Sequence, residues 1–312
     1  MKRGLIVLVA AAAFVAVPLA YALLAETPVF YASKNERNPA AGHDGVGGEV
    51  WAFTRSRAGY PNRYDAYAKE GASAAVKLNL AGQGWTGGID YPIVAYQQIA
   101  GGQSDLHFYN LETDIRSTPP VNTQRWEWHP SISGDESDYM LLFGSDNTNN
   151  PTQRVVLHHH SSTAHESHEL SYVTKASHYL QPDQVNGDWV TFTRCTPLCN
   201  VWRHQISTDT RVRLAKPATS RPRHQYAGAV TSTGAVYLVR SGPNCGEKVK
   251  IVRYDTAHSD PALGTVVAAL PSGFDIAFAF ARENPGGSVD VFYDRVKCST
   301  GRFDIYKVTD PA

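Results

Sequence analysis

The stretch 188–208, DWVTFTRCTPLCNVWRHQIST, constrains the chain most, because much of the remaining sequence reads as looser copies of it. Its first seven residues alternate large apolar with polar side chains, a cysteine-bounded turn follows, and residues 200–206 resume an extended pattern with β-branched and aromatic residues. That is the pattern of a β-hairpin. A lone hairpin is marginal in water, so its repetition decides the fold: stacked copies bury each other's faces in one continuous core.

Six alternating or apolar runs, at residues 49–55, 92–99, 139–144, 189–194, 236–240 and 289–295, recur at intervals of roughly 43 to 54 residues, the spacing of propeller blades. Each leads through a turn rich in Gly, Pro or Asn into a second strand. Four of these second strands begin alike, as Asp65-Ala66-Tyr67, Asp105-Leu106-His107, Asn200-Val201-Trp202 and Asp304-Ile305-Tyr306. Ahead of three of them an arginine stands two places after an aromatic, in the pairs Phe53 and Arg55, Phe192 and Arg194, Tyr293 and Arg295. The segments WAFTRSRAGYPNRYDAY and VFYDRVKCSTGRFDIYKV resemble the repeats of the six-bladed, TolB-like β-propellers. The resemblance runs from about Pro39 onward. It implies an all-β ring of six four-stranded antiparallel blades, an architecture that serves as protein-binding domains and as propellers attached to peptidases. It therefore does not choose an activity. The repeated arginines are read as packing elements of each blade and not as a ligand-binding ring.

The inner strands carry a signature of their own, clearest at 130–135 and 182–188 with 39–44 a weaker copy. Its Asp135 and Asp188 follow Gly134 and Gly187, and such Gly-Asp steps are what tight hairpin turns need, so these carboxylates are assigned to turns. The chain ends one strand into its last hairpin. The short apolar run 29–32 is expected to supply the missing outer strand and close the ring.

Lys2 and Arg3 precede an uncharged run, residues 4–25, with Pro18 and the small-residue triplet Ala20-Tyr21-Ala22. This reads as a secretory signal cut after Ala22, or as an uncleaved membrane anchor of residues 4–25. The expected division is a signal or anchor at 1–25, a linker with the closing strand at 26–38, and the propeller at 39–312. Either way the protein is placed outside the cytoplasm, secreted or anchored. Four cysteines then favour disulfides over zinc, whose usual paired spacing is absent. Cys195 and Cys199 share one turn, and Cys245 and Cys298 fall in corresponding turns of the next two blades, which gives the pairs 195–199 and 245–298. A formal charge of +0 and no polybasic stripe argue against a nucleic-acid partner.

His158, His159, His160, His165 and His168 form the most conspicuous chemical cluster. Alternation puts His158 and His160 on one face of a strand, with His165 or His168 able to join them, so weak metal binding at an exposed edge is expected but not a catalytic metal centre. His165-Glu166-Ser167-His168 lacks the spacing and the helix of a zinc-protease motif. Trp85, Trp126 and Trp128 are assigned to turn-like or inter-blade segments, where with Tyr91 they either stack on sugar rings or clamp a peptide, or pack between blades. No nucleophile elbow, phosphate loop or dinucleotide fingerprint occurs, so no catalytic residue and no cofactor are assigned. The expected role is a binding or scaffold module for a protein or glycan. A polysaccharide hydrolase or lyase with its site at the channel mouth is the alternative, and a metal-binding protein the third.

Overall fold

The computed structural model describes residues 24–30, 34–147, 150–174, 177–214, 223–255 and 264–311, so the signal or anchor segment lies outside the described residues except for Leu24 and Ala25. The described residues form six four-stranded antiparallel sheets and no helix. Strand β1 (Thr27–Phe30) comes first in the chain but joins the last sheet. The first blade is β2 (Glu36–His43), β3 (Glu49–Arg57), β4 (Tyr60–Glu70) and β5 (Val76–Lys77). The second is β6 (Gln83–Asp90), β7 (Ile93–Ala100), β8 (Gln103–Asn110) and β9 (Arg116–Ser117), and the third is β10 (Trp126–Gly134), β11 (Tyr139–Asn147), β12 (Asn150–His160) and β13 (His165–Val173). The fourth is β14 (Tyr179–Asn186), β15 (Trp189–Cys195), β16 (Cys199–Gln205) and β17 (Thr210–Arg213), followed by β18 (His224–Val230), β19 (Val236–Ser241), β20 (Lys250–Tyr254) and β21 (Thr265–Ala269) in the fifth. In the sixth, β22 (Phe274–Glu283), β23 (Val289–Lys297) and β24 (Arg302–Asp310) are completed by β1. The innermost strands β2, β6, β10, β14, β18 and β22 neighbour one another in that order, and β22 returns to β2.

The six runs found in the sequence are the second strands of the six blades, and the partners predicted for them are the third. The closing strand is also found: Thr27 pairs with Lys307 and Pro28 with Tyr306. It starts two residues before the expected run, and the innermost strand of the first blade begins at Glu36, ahead of Pro39. Val29 and Phe30 pack against Trp51, Phe53, Phe292 and Ile305, so closure buries an apolar seam between the first and sixth blades as well as pairing an edge.

The core lies between blades. Ala40, Val50, Ala66 and Leu78 of the first pack on Ile89, Val94, Tyr96 and Tyr109 of the second, and comparable clusters join the other neighbours. Two of the three repeated arginines are tied into this framework, while Arg194 lines a surface cavity together with Arg211. Arg55 donates to Glu36 at 2.6 and 2.9 Å and lies over Phe53, while Arg295 donates to Glu26 at 2.8 Å and lies over Phe274 and Tyr306. Asp135 Oδ1 caps its turn by accepting from the Ser137 and Asp138 amides, and Asp188 braces its hairpin by accepting from the Ser207 amide and hydroxyl.

Candidate functional site at one mouth of the channel

Every innermost strand carries one extra residue near its middle, seen as a register shift against the second strand at Arg37/Ala40, Thr86/Gly88, Trp128/Ser131, Pro182/Gln184, Tyr226/Ala229 and Ile276/Ala279. A bulge breaks the ladder and re-aims side chains. At Asn38, His129 and Ala227 the bulged backbone takes φ of 50°, 46° and 51°. These six bulges sit around the axis and separate two mouths. One is lined by the first halves of the innermost strands and the other by the second halves. Gln184 closes the space between them: its Oε1 accepts from the Val230 and Ala281 amides at 3.2 and 3.0 Å, and its Nε2 donates to the Ala281 carbonyl at 2.9 Å.

The first mouth opens into a cleft of about 490 Å³. Its walls are Trp85 from β6, Trp126 and Trp128 from β10, Tyr179 from β14 and Phe278 from β22, interleaved with Arg37, Asn38, His129, Gln97, Asp146, Gln153 and Gln181. All three tryptophans therefore lie on innermost strands, not in turns or linkers. Gly84, Gly87 and Gly88 give the β6 segment the look of a turn, but Gly87 is there for close approach. A Cβ on it would stand 1.8 Å from the Pro130 carbonyl oxygen of the neighbouring strand. Tyr91 sits in the β6–β7 connection, packs on the core between the first two blades, and is not brought to the cleft.

The indole of Trp128 faces the phenol of Tyr179 with centroids 6.2 Å apart and 27° between planes, and it lies across Gly144, where a Cβ would fall 2.2 Å from Cε2. Trp85 rests on Tyr64 at 4.5 Å. Arg37 is held between Trp85 and Phe303, with its Nε 3.8 Å from the Asp294 carboxylate. Asp294 is buried and accepts from the amides of Asn38, Ala277 and Phe278 at 3.4, 3.0 and 2.7 Å, which stitches the bulges of the first and sixth blades together. Burial raises its pKa to about 6, against the pull of Arg37 and of those amides. Burial likewise lowers the His129 imidazole to about 4, with help from Arg37, so it is neutral at physiological pH. Next to the cleft, Asp183 is driven up to about 8 by burial and keeps its proton at neutral pH; its Oδ2 meets the Thr193 hydroxyl at 2.7 Å.

Five side-chain atoms in and behind the cleft are buried without a hydrogen-bond partner among the described residues: Asn38 Nδ2, Trp128 Nε1, Arg37 Nε, His129 Nδ1 and Asp183 Oδ1. The first three can only donate. Flat aromatic faces beside unused donors suit a ligand that carries both apolar faces and acceptor oxygens. Arg37, Asn38, His129, Tyr179 and Asp183 were not singled out from the sequence. The signal that marks several of them is a proline inside a strand-like run, as in Asn38-Pro39, His129-Pro130 and Pro182-Asp183, because proline within a sheet is confined to edges and bulges.

The other residues singled out lie elsewhere. Cys195 is bonded to Cys199 within the β15–β16 hairpin, and Cys245 to Cys298 across the fifth and sixth blades. His158, His160 and His165 converge on one face of the β12–β13 hairpin. That hairpin's tip is at the opposite end of the third blade from Trp126 and Trp128. His159 meets Asp138 at 3.3 Å, and His168 turns to the other face beside Glu166 at 3.5 Å.

Ring, bulges and plugged axis together define a six-bladed β-propeller. No family model matches the sequence, and no curated protein does. Among solved structures the chain is similar to TolB from Acinetobacter baumannii, at 14% identity and a TM-score of 0.55, covering 85% of this chain and 65% of that one. It thus spans just under two thirds of TolB's length. A protein of unknown function from Dyadobacter fermentans superposes with a TM-score of 0.63 at 10% identity, over 92% of this chain and 98% of its own. The Penicillium chrysogenum α-L-arabinanase complexed with arabinobiose gives 0.56 at 11% identity, over 93% and 99%. Identities this low show a shared fold. The two disulfides fit an oxidising, extracytoplasmic compartment.

Proposed function

We propose that the protein is an exported, TolB-like propeller that binds a glycan in the aromatic cleft, with pyranose or furanose rings stacked on Trp126, Trp128 and Tyr179. The observation that carries this reading is the convergence of three tryptophans and a tyrosine with unpartnered donors in one open cleft at the channel mouth. Sugar rings have the matching chemistry: C–H faces for the indoles and hydroxyl oxygens for Asn38 and Trp128. The cleft's volume suits a short oligosaccharide segment. A solved propeller of similar fold is named as an arabinanase holding arabinobiose, which is consistent with the reading. Export rests on the N-terminal segment and the disulfides. The direct test is retention on a panel of immobilised plant and bacterial polysaccharides. Wild-type protein should be held by at least one, and Trp128→Ala should be released. Retention unaffected by Trp128→Ala, or capture of an envelope protein instead, would move the binding site away from sugars.

Asp146 favours a second reading, glycan hydrolysis at the same mouth, because it is a half-buried carboxyl group that lines the cleft and burial raises its pKa, as a general acid requires. Release of reducing ends from the retained polysaccharide, abolished in Asp146→Asn, would establish it. Retention without release leaves the protein a binding module.

A further inference from the structure

At the other end of the third blade, the β12–β13 hairpin pairs His160 with His165 and His158 with Ser167, which brings three imidazoles to one face. One ring nitrogen from each of His158, His160 and His165 lies within 4.8 Å of the other two. The three differ in burial in an ordered way: His158 is 4% exposed, His160 partly covered, and His165 open to solvent.

We propose that these three histidines form a site for a borderline divalent transition-metal ion, zinc being the probe of choice, which clips the β12–β13 hairpin on the face opposite the glycan cleft. The nitrogen chemistry is already arranged. His158 Nδ1 lies 2.9 Å from Ser167 Oγ, and its Nε2 is buried with no hydrogen-bond partner among the described residues. A hydroxyl bonded to one ring nitrogen fixes the ring and frees the other nitrogen to ligate. His160 Nδ1 and His165 Nδ1 are 3.0 Å apart, a separation that holds one shared proton. Two ligands bound at about 2.0–2.1 Å to a tetrahedral ion stand about 3.3 Å apart, so an ion replaces that proton with little movement. The His160 ring is also held in place by stacking on Tyr139 at 4.7 Å and 20°. An all-imidazole donor set suits zinc, copper or nickel and disfavours magnesium and calcium. The sequence led us to expect an exposed, weak edge site; the buried, oriented His158 is what makes it a built one. His168 takes no part, since its register places it opposite Leu157 on the other face.

The experiment uses untagged protein purified without metal-affinity steps and stripped with chelator, then titrated with zinc by calorimetry and followed by thermal melting. The expected result is one zinc per chain at micromolar affinity or tighter, with a higher melting temperature. His165→Ala, an exposed substitution, should lower the affinity at least tenfold, and His168→Ala should leave it within twofold. Cobalt bound in place of zinc should show the intense visible absorption of a four-coordinate ion. Affinity weaker than micromolar, a stoichiometry other than one, or equal losses from His165→Ala and His168→Ala would overturn the proposal and leave only adventitious histidine binding.

Discussion

Trp128 can lie flat over β11 only because residue 144 is glycine. Gly144→Ala is therefore expected to push the indole out of its stack with Tyr179, at an overpacking cost of about 1–3 kcal/mol. The check is a lower melting temperature together with altered tryptophan fluorescence and weaker glycan retention. Asp183 makes a second prediction at this scale. Its carboxyl group titrates near 3.8 when unfolded and at about 8 in the fold, so the folded state binds the extra proton and the contribution of this group to stability falls as pH rises from about 4 to 8. At about 1.4 kcal/mol for each pH unit separating the two values, the loss is on the order of several kcal/mol. Urea midpoints at pH 5 and pH 8 should show a larger drop for wild type than for Asp183→Asn; equal drops would show that Asp183 ionises normally. The tryptophans were legible in the sequence by residue type alone. Arg37, His129 and Asp183 were not, because their orientation comes from bulges, and a bulge erases the alternation by which a strand's inward face is read.

Among elements, the second and third strands of each blade were readable because they alternate and are joined by short turns with Gly, Pro or Asn. Of the innermost strands only the segments 130–135 and 182–188, with 39–44 a weaker copy, were readable. In the innermost strands close approach demands glycine, as at Gly87 and Gly88, and the bulges admit Pro39, Pro130 and Pro182, so their composition imitates loops. The joint between the fifth and sixth blades carries the longer disulfide, Cys245 to Cys298, with a sequence separation of 53. In the chain-entropy model it contributes about 4 kcal/mol, against about 2 for the Cys195–Cys199 loop. Replacing both Cys245 and Cys298 by serine should lower stability by more than the same change at Cys195 and Cys199, as read from denaturant midpoints, and non-reducing peptide maps should contain 245–298 and no 199–245 peptide. The closing strand makes the complementary test. Phe30 contacts Phe53 at 4.5 Å and Trp51 at 5.8 Å. Phe30→Ala should cost about 2–4 kcal/mol and promote association through the uncovered edge of β24. A monodisperse variant with unchanged melting temperature would mean that β1 does not hold the ring closed.

For the whole molecule, a ring of blades plugged at its axis by Gln184 and the bulges is a rigid platform with two faces, and the chemistry divides between them. The aromatic cleft occupies one mouth, on the face where the disulfide-bonded turns also lie, and the three-histidine cluster stands on the other. Because the blades pack pairwise through separate apolar clusters, a change at one face is expected to leave the other intact. The most direct measurement of the central claim is a fluorescence titration of wild type, Trp126→Ala and Trp128→Ala with the soluble oligosaccharide released from whichever polysaccharide retains the protein. Saturable quenching in the wild type, with affinity lowered at least tenfold by either substitution in proteins that remain folded at the assay temperature, is the result predicted. Binding of equal strength in all three proteins would contradict the assignment of the cleft as the glycan site.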